Sequence, residues 1–496
     1  MTTHNPELAL LGEALLRLQS SFARLPDEPL RSSPEIADEA SFRAALLAAA
    51  DRMQDNFPYH HPLYVGQMLK PPHPVARLAY AMSLWVNPNN HALDGGRASS
   101  AMEKEAVAEI ARMFGWNKCL GHLTGGGTMA NFEALWVARG IGREMAGASS
   151  HPSIGTPLAV AASSQAHYTH SRLSSVLDMP FVTIDVDTRG QMDVAALERA
   201  LDAGAASDGA SGGVSGEARG RSTHPPIGTV VATLGTTAAG AVDPLADILE
   251  LRKRHPVRLH VDTAYGGYFT LADNLAPQAR VHYDRISEAD SIVIDPHKHG
   301  LQPYGCGCVL FRDPTVGRFY RHDSPYTYFS SGDLHLGEIS LECSRAGAAA
   351  VALWTTMHCL PPVPGGTFAR GLESGRRAAL ELHRALLADS RFAPITEPEL
   401  DIVAWIVRAP RASEASALAR RIFDAAARHD LHLALASFPR GMTEAAGAIV
   451  QWDQDHVLCL RACVMKPEHE AWMGDILARL DLAATESNVQ KAVERP

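Results

Sequence analysis

The sequence predicts an α/β fold built on a mostly parallel sheet, and three observations carry that expectation. Between about residues 100 and 312, short β-branched runs alternate with amphipathic helical segments. The runs are apolar at successive rather than alternate positions, as strands are when helices cover both faces of their sheet. The chain of 496 residues is 46% hydrophobic and 20% charged, an ordinary globular balance with ample length for a large core.

Taken in order, residues 7–22 carry a helical apolar period through Leu8, Leu11, Leu15, Leu18 and Phe22, and 41–56 read similarly. Residues 57–74 are dense in proline, aromatics and histidine, which disfavours regular structure and suggests an arm laid over another part of the protein. Strands are predicted at 158–163, 181–186, 227–234, 257–262, 291–295 and 308–311, with helices at 193–202 and 244–255. Residues 203–226 are rich in Gly, Ser and Ala and read as a solvated insertion. A smaller α/β unit follows from about 356, with strands near 401–408, 431–438 and 456–464 and helices near 413–428 and 468–480. The expected division is an N-terminal helical arm and substrate or dimer segment (1–99), a large domain (100–355) and a small domain (356–496).

A net charge of −10 argues against nucleic acid or an anionic membrane as the main partner. No run approaches the roughly 20 apolar residues of a membrane span. Glu7 and Glu13 lie in the first apolar segment, where a signal peptide would carry cations, so a cytoplasmic protein is expected. Seven cysteines without CxxC spacing suggest neither a disulfide framework nor a zinc site. The His60/His61, His167/His170 and His297/His299 pairs lack the spacing of a hydrolytic metal site, and no metal is expected. Only seven of the 45 basic residues are lysine. Lys298 stands out among them; the other six are left as surface or unassigned.

Three motifs carry chemistry. In 121–135, GHLTGGGTMANFEAL, three glycines lead through Thr128 into a helical pattern, a seat for phosphate on free backbone N–H groups. Most glycine-rich helix starts bind nothing. In HVDTAYGG (260–267), Asp262 closes a buried strand, where a carboxylate needs a cation or donors; a simple turn cap is the plain alternative. In SIVIDPHKHG (291–300), Lys298 follows a buried strand between two imidazoles and suits Schiff-base chemistry, against the alternative of a solvated loop lysine. Together the three supply what pyridoxal 5′-phosphate requires: a phosphate cradle, an acidic partner for the ring nitrogen, and an amine for the aldehyde. Ala264 is then placed to pack under the ring, His167 to stack above it, and Thr237 to offer a hydroxyl at its edge.

With GGGTMAN (125–131), AHYTHSR (166–172), ATLGTTAAGAVD (232–243), HVDTAYGG, DPHKHG and CSRAGAAAVALW (343–354), the chain resembles the group II pyridoxal-phosphate-dependent amino-acid decarboxylases. These include aromatic-amino-acid, tyrosine, histidine and glutamate decarboxylases. The resemblance implies the aspartate-aminotransferase-like fold (fold type I), with an N-terminal arm and a small C-terminal α/β domain. It further implies a homodimer with shared active sites, and an arm that helps form the substrate pocket. By the same resemblance, Lys298 bonds the cofactor aldehyde, Asp262 pairs with the ring nitrogen and His167 stacks on the ring. Gly127, Thr128 and His297 meet the phosphate side, and Thr237 lies near the ring hydroxyl.

Many family members use a loop tyrosine after the lysine as the acid that protonates the substrate α-carbon. Here His335 falls at that place by ungapped counting from Arg345, with Tyr326 and Tyr328 nearby, so the acid stays open among the three. Imidazole suits proton donation near neutrality. The expected reaction is decarboxylation of an L-amino acid, with the aromatics of the arm pointing to one such as tyrosine. Glutamate or aspartate is the rival substrate, since the arm's histidines and Lys70 suit a distal carboxylate. Carbon–carbon cleavage of the sphingosine-phosphate-lyase kind, aldehyde synthesis and a non-catalytic cofactor carrier also stay open.

Overall fold

Strands β1 (Leu120–Thr124), β2 (Ala159–Ser163), β3 (Phe181–Ile184), β4 (Ile227–Thr233), β5 (Arg258–Asp262), β6 (Ser291–Ile294) and β7 (Gly307–Phe311) form the central sheet in the order β1-β7-β6-β5-β4-β2-β3. The computed structural model describes residues 5–20, 38–147, 158–208, 225–321 and 340–493. From β3 to β6 every pairing is parallel, and β7 runs antiparallel to both β6 and β1. All six predicted strands of this region are present; five are buried along nearly their whole length, and the edge strand β3 buries Val182 and Ile184. β1 was not predicted. It is short and carries His122, whose burial is compensated by Glu133 at 2.8 Å.

The register sets the site. Thr233 pairs with Asp262, and Asp262 with Val293, so the carboxyl ends of β4, β5 and β6 lie side by side. Helix Gly127–Gly147 starts two residues beyond β1, and its N-terminus reaches the same edge. Helices Thr169–Val176, Val194–Asp208 and Leu245–Arg252 follow β2, β3 and β4.

Strands Phe392–Pro394, Ile402–Val407, Ala434–Pro439 and His456–Cys463 form a second, wholly antiparallel sheet, packed by helices Thr367–Ala388 and Ala412–Arg428, against which helix Met473–Val493 lies. The predicted start of the last helix, 468, lies in a short turn before Met473. Residues 57–73 are irregular, as expected, and run beside this sheet through Val65 N–H to His432 O (2.9 Å) and Cys463 N–H to Val65 O (2.7 Å).

Helices Pro74–Ser83 and Leu93–Met113 lie where no helix was predicted. The first opens on the proline that closes the irregular arm, a favoured first helical position. The second begins through Gly95 and Gly96, a pair that reads as a turn, and the chain does kink there. Among the described residues no helix is long and apolar enough to cross a membrane. Most of the insertion at 203–226 lies outside the described residues, as do Tyr326, Tyr328 and His335.

Candidate active site

A cavity of about 520 Å³ opens at the carboxyl edge of β4, β5 and β6. Gly127, Thr128, His167, Thr237, Asp262, Ala264, His297 and Lys298, singled out from sequence, all line it. Asn131, Thr233, Asp295 and Glu342 line it too, without having been predicted.

Asp262 is the most tightly held of these groups. Its Oδ2 accepts from His170 Nε2 at 2.9 Å and from Asn131 Nδ2 at 3.2 Å, and its Oδ1 accepts from Ala264 N–H at 3.0 Å. Burial by itself raises a carboxyl. Here His170, through its hydrogen bond and charge, and the Ala264 N–H outweigh it and hold Asp262 well below the usual carboxylate range. Behind it, Asn131 Oδ1 accepts from His260 Nε2 at 2.7 Å, and His260 Nδ1 lies 2.9 Å from Ser291 Oγ. Burial drives His260 down to about 3, so this imidazole is neutral.

Lys298 Nζ lies 3.3 Å from Asp295 Oδ2, a carboxylate only 4% exposed. Asp295 Oδ1 has no hydrogen-bond partner among the described residues. His297 holds Cys306 O through Nδ1 at 2.8 Å, which turns its Nε2 toward Asp295 at 3.6 Å. Burial lowers its imidazole below the ordinary value. His167 accepts from Thr169 N–H through Nδ1 at 3.2 Å and is likewise lowered by burial. Its second nitrogen is therefore the one free for the cavity.

The cradle is built from the chain's glycines. The first helical N–H paired along the helix is that of Ala130, to Gly126 O, so those of Gly127, Thr128 and Met129 lack intrahelical partners. Gly126 has φ +146°, a conformation that favours glycine. A Cβ on Gly127 would sit 2.7 Å from Asp295 Oδ2. Free N–H groups, a hydroxyl at Thr128, an ionised carboxylate and an amine around one polar space fit pyridoxal 5′-phosphate in every part.

Within this chain none of residues 57–74 lines the cavity; Phe57, Tyr59 and Tyr64 pack on one another, and Phe57 and Tyr64 on His432, with Tyr59 and Tyr64 ring centres 5.0 Å apart. Two of the lysines left unassigned lie below the surface. Lys466 is 4% exposed, and Lys70 is partly buried with it. His170, which the sequence offers only as half of a pair without metal spacing, proves to act on Asp262. Its signal is a second histidine three positions after His167, facing the sheet edge from helix Thr169–Val176.

Residues 78–408 match the family model described as the pyridoxal-dependent decarboxylase conserved domain. An L-tyrosine decarboxylase of Levilactobacillus brevis is 26% identical over 68% of this chain and 66% of its own length, just under two thirds. One of Enterococcus faecium is 27% identical over 77% of this chain and 74% of its own. Among solved structures, Oryza sativa TDC with PLP and tryptamine superposes with a TM-score of 0.75 at 18% identity, covering 98% of this chain and 99% of that one. That likeness bears on the fold, which is fold type I α/β.

Proposed function

The chain belongs to the pyridoxal-dependent decarboxylase family, and from that premise we propose that it removes the α-carboxylate of an aromatic L-amino acid, such as tyrosine, as carbon dioxide. The observation that carries the reading is the convergence of Lys298, Asp262 and the Gly127–Thr128 cradle on one cavity. Pyridoxal 5′-phosphate, when bound, supplies an aldehyde for the substrate amine and a ring that draws electrons from the breaking bond.

The chain's own residues then have distinct tasks. Asp262, kept ionised by His170 and the Ala264 N–H, receives the ring-nitrogen end and keeps a proton there. Lys298 presents its amine to the same cavity, steadied by Asp295. Thr128 and the helix N–H groups would hold the phosphate, with His297 beside them, and Thr237, Ala264 and His167 would line the place of the ring. The acid for the α-carbon is one of His335, Tyr326 and Tyr328. Residues 100–355 act as the cofactor-binding unit, with 1–99 and 356–496 completing it.

The choice of an aromatic substrate rests on L-tyrosine decarboxylases among the relatives, the two described above included. We also propose a homodimer. Helices Pro6–Ser20 and Glu39–Met53 bury no residue, and leave Leu8, Leu10, Leu16, Phe42, Leu46 and Met53 exposed, an apolar surface that suits a second copy.

Incubating the protein with each of the twenty amino acids, with carbon dioxide and amine both measured, tests the reading. Stoichiometric amine and carbon dioxide from tyrosine, abolished in Lys298→Ala, is the expected result. Ammonia and aldehyde would place the chain on the oxidative branch. Turnover of glutamate alone would overturn the aromatic assignment.

A further inference from the structure

Two lysines that the reaction does not use converge on a second cavity of about 340 Å³. Its charged and titratable walls are His60, Lys70, His73, His299, Lys466 and Glu468. Lys70 comes from the arm and Lys466 from the end of the second sheet, in a chain that spells its other basic groups almost entirely with arginine.

Lys70 Nζ donates to Met465 O at 3.3 Å, while Lys466 Nζ donates to Tyr64 O at 2.6 Å and His61 O at 3.1 Å. An ammonium has three N–H donors, so Lys70 keeps two, and Lys466 one, beyond those bonds. His299, 1% exposed, has no hydrogen-bond partner at Nδ1 among the described residues. Its Nε2 is 3.3 Å from Asp401 Oδ2, out of line for a hydrogen bond.

Burial lowers both amines to about 8, and the charge of Lys70 adds to the lowering at Lys466. Glu468 acts against it at both, and Asp401 at Lys70. Asp401 is already engaged by Tyr265 Oη at 2.6 Å. Glu468 and Asp401 offset part of the two charges, but the unused N–H donors of both ammoniums and the unpartnered His299 Nδ1 still equip the cavity for an anion. A compact ammonium serves a phosphate or carboxylate as a point charge. The volume sits at the small end of ligand clefts.

We propose that this cavity is a second ligand site, which takes a small multivalent oxyanion, a phosphate or a dicarboxylate, between Lys70 and Lys466. It is separate from the cavity at Lys298, and its occupant ties the arm to the second sheet.

Calorimetric titration of the holoenzyme, whose own phosphate cradle is filled, tests this with inorganic phosphate and with succinate in separate arms. At pH 8 about half of each amine is unprotonated, so binding must draw protons from the buffer. The expected result is one saturable site per chain, with proton uptake shown by buffers of different ionisation heat. Affinity should fall tenfold or more in Lys70→Met, with the cofactor's visible spectrum unchanged. The arm that saturates identifies the source.

No saturable binding of either anion at millimolar concentration overturns the proposal and leaves the lysines as carbonyl caps. So does equal binding in Lys70→Met. Should that variant fail to fold, binding as tight in Lys466→Met as in the unmodified holoenzyme is equally decisive against it.

Discussion

His170 Nε2 lies 2.9 Å from Asp262 Oδ2 at the sheet edge, with the imidazole wholly buried behind the carboxylate. That contact makes a helix residue the keeper of a strand residue's charge. Burial raises Asp262, and His170 is the largest opposing influence. The chain thus sets the ionisation of its proposed ring partner through a side chain that does not line the cavity.

Replacing that donor tests its weight. In His170→Leu the buried carboxylate loses a charge-assisted hydrogen bond, worth about 1.5–3 kcal/mol. Cofactor affinity should fall about ten- to a hundredfold by that measure, read as a dissociation constant from cofactor absorbance. His170→Gln, which keeps an N–H donor, should recover part of the loss.

The neutral His260 makes stability depend on pH. Its folded value of about 3 lies below its ordinary 6.5, so the unfolded chain binds the extra proton between those values. Stability from this group is therefore full above pH 6.5 and is lost progressively as pH falls toward 3. From pH 7 to 5 the loss is about 2 kcal/mol. Urea unfolding at both pH values should show that much less pH dependence in His260→Gln than in the unmodified protein.

Gly127 and Gly474 make a matched pair. A Cβ at Gly127 meets both Asp295 oxygens, at 2.7 and 3.1 Å, whereas one at Gly474 meets nothing within 4 Å. Gly127→Ala should displace the carboxylate that steadies Lys298 and weaken cofactor binding by about tenfold or more, since a 1.4 kcal/mol disturbance suffices. Gly474→Ala, within helix Met473–Val493, should leave cofactor affinity unchanged and raise stability by about 0.4–1 kcal/mol.

The cradle's strand is anchored by Glu103, 2% exposed. Its carboxylate takes Arg345 Nη1 at 2.9 Å, Leu123 N–H at 2.9 Å and Asn90 Nδ2 at 2.6 Å. Glu103→Ala leaves Arg345 buried without its charge partner and should cost about 3–5 kcal/mol in denaturant unfolding.

Much of the fold was legible along the chain. Strands β2 to β7 could be read because burial favours runs of β-branched and other apolar residues in them, with polar groups such as Asp262 mostly toward their ends. β1 and helix Leu93–Met113 could not, since His122, Glu103, Gly95 and Gly96 break the apolar pattern. The two buried polar residues are tolerated because Glu133 and Arg345 meet them across the tertiary structure.

The site divides on the same line. Lys298, Asp262 and the Gly127–Thr128 cradle could be picked out from sequence, because amine, acid and free N–H groups are requirements of residue type at strand and helix ends. Asn131 and His170 act on Asp262 from 131 and 92 positions away, and Lys70 reaches Met465 across 395. No periodicity or motif encodes such meetings. Hydrogen bonding and desolvation depend on which groups the fold brings within a few ångströms. The sequence by itself determined which residues bear the chemistry, and only the tertiary structure decided which charges are held, which are neutralised, and which lysines leave the surface.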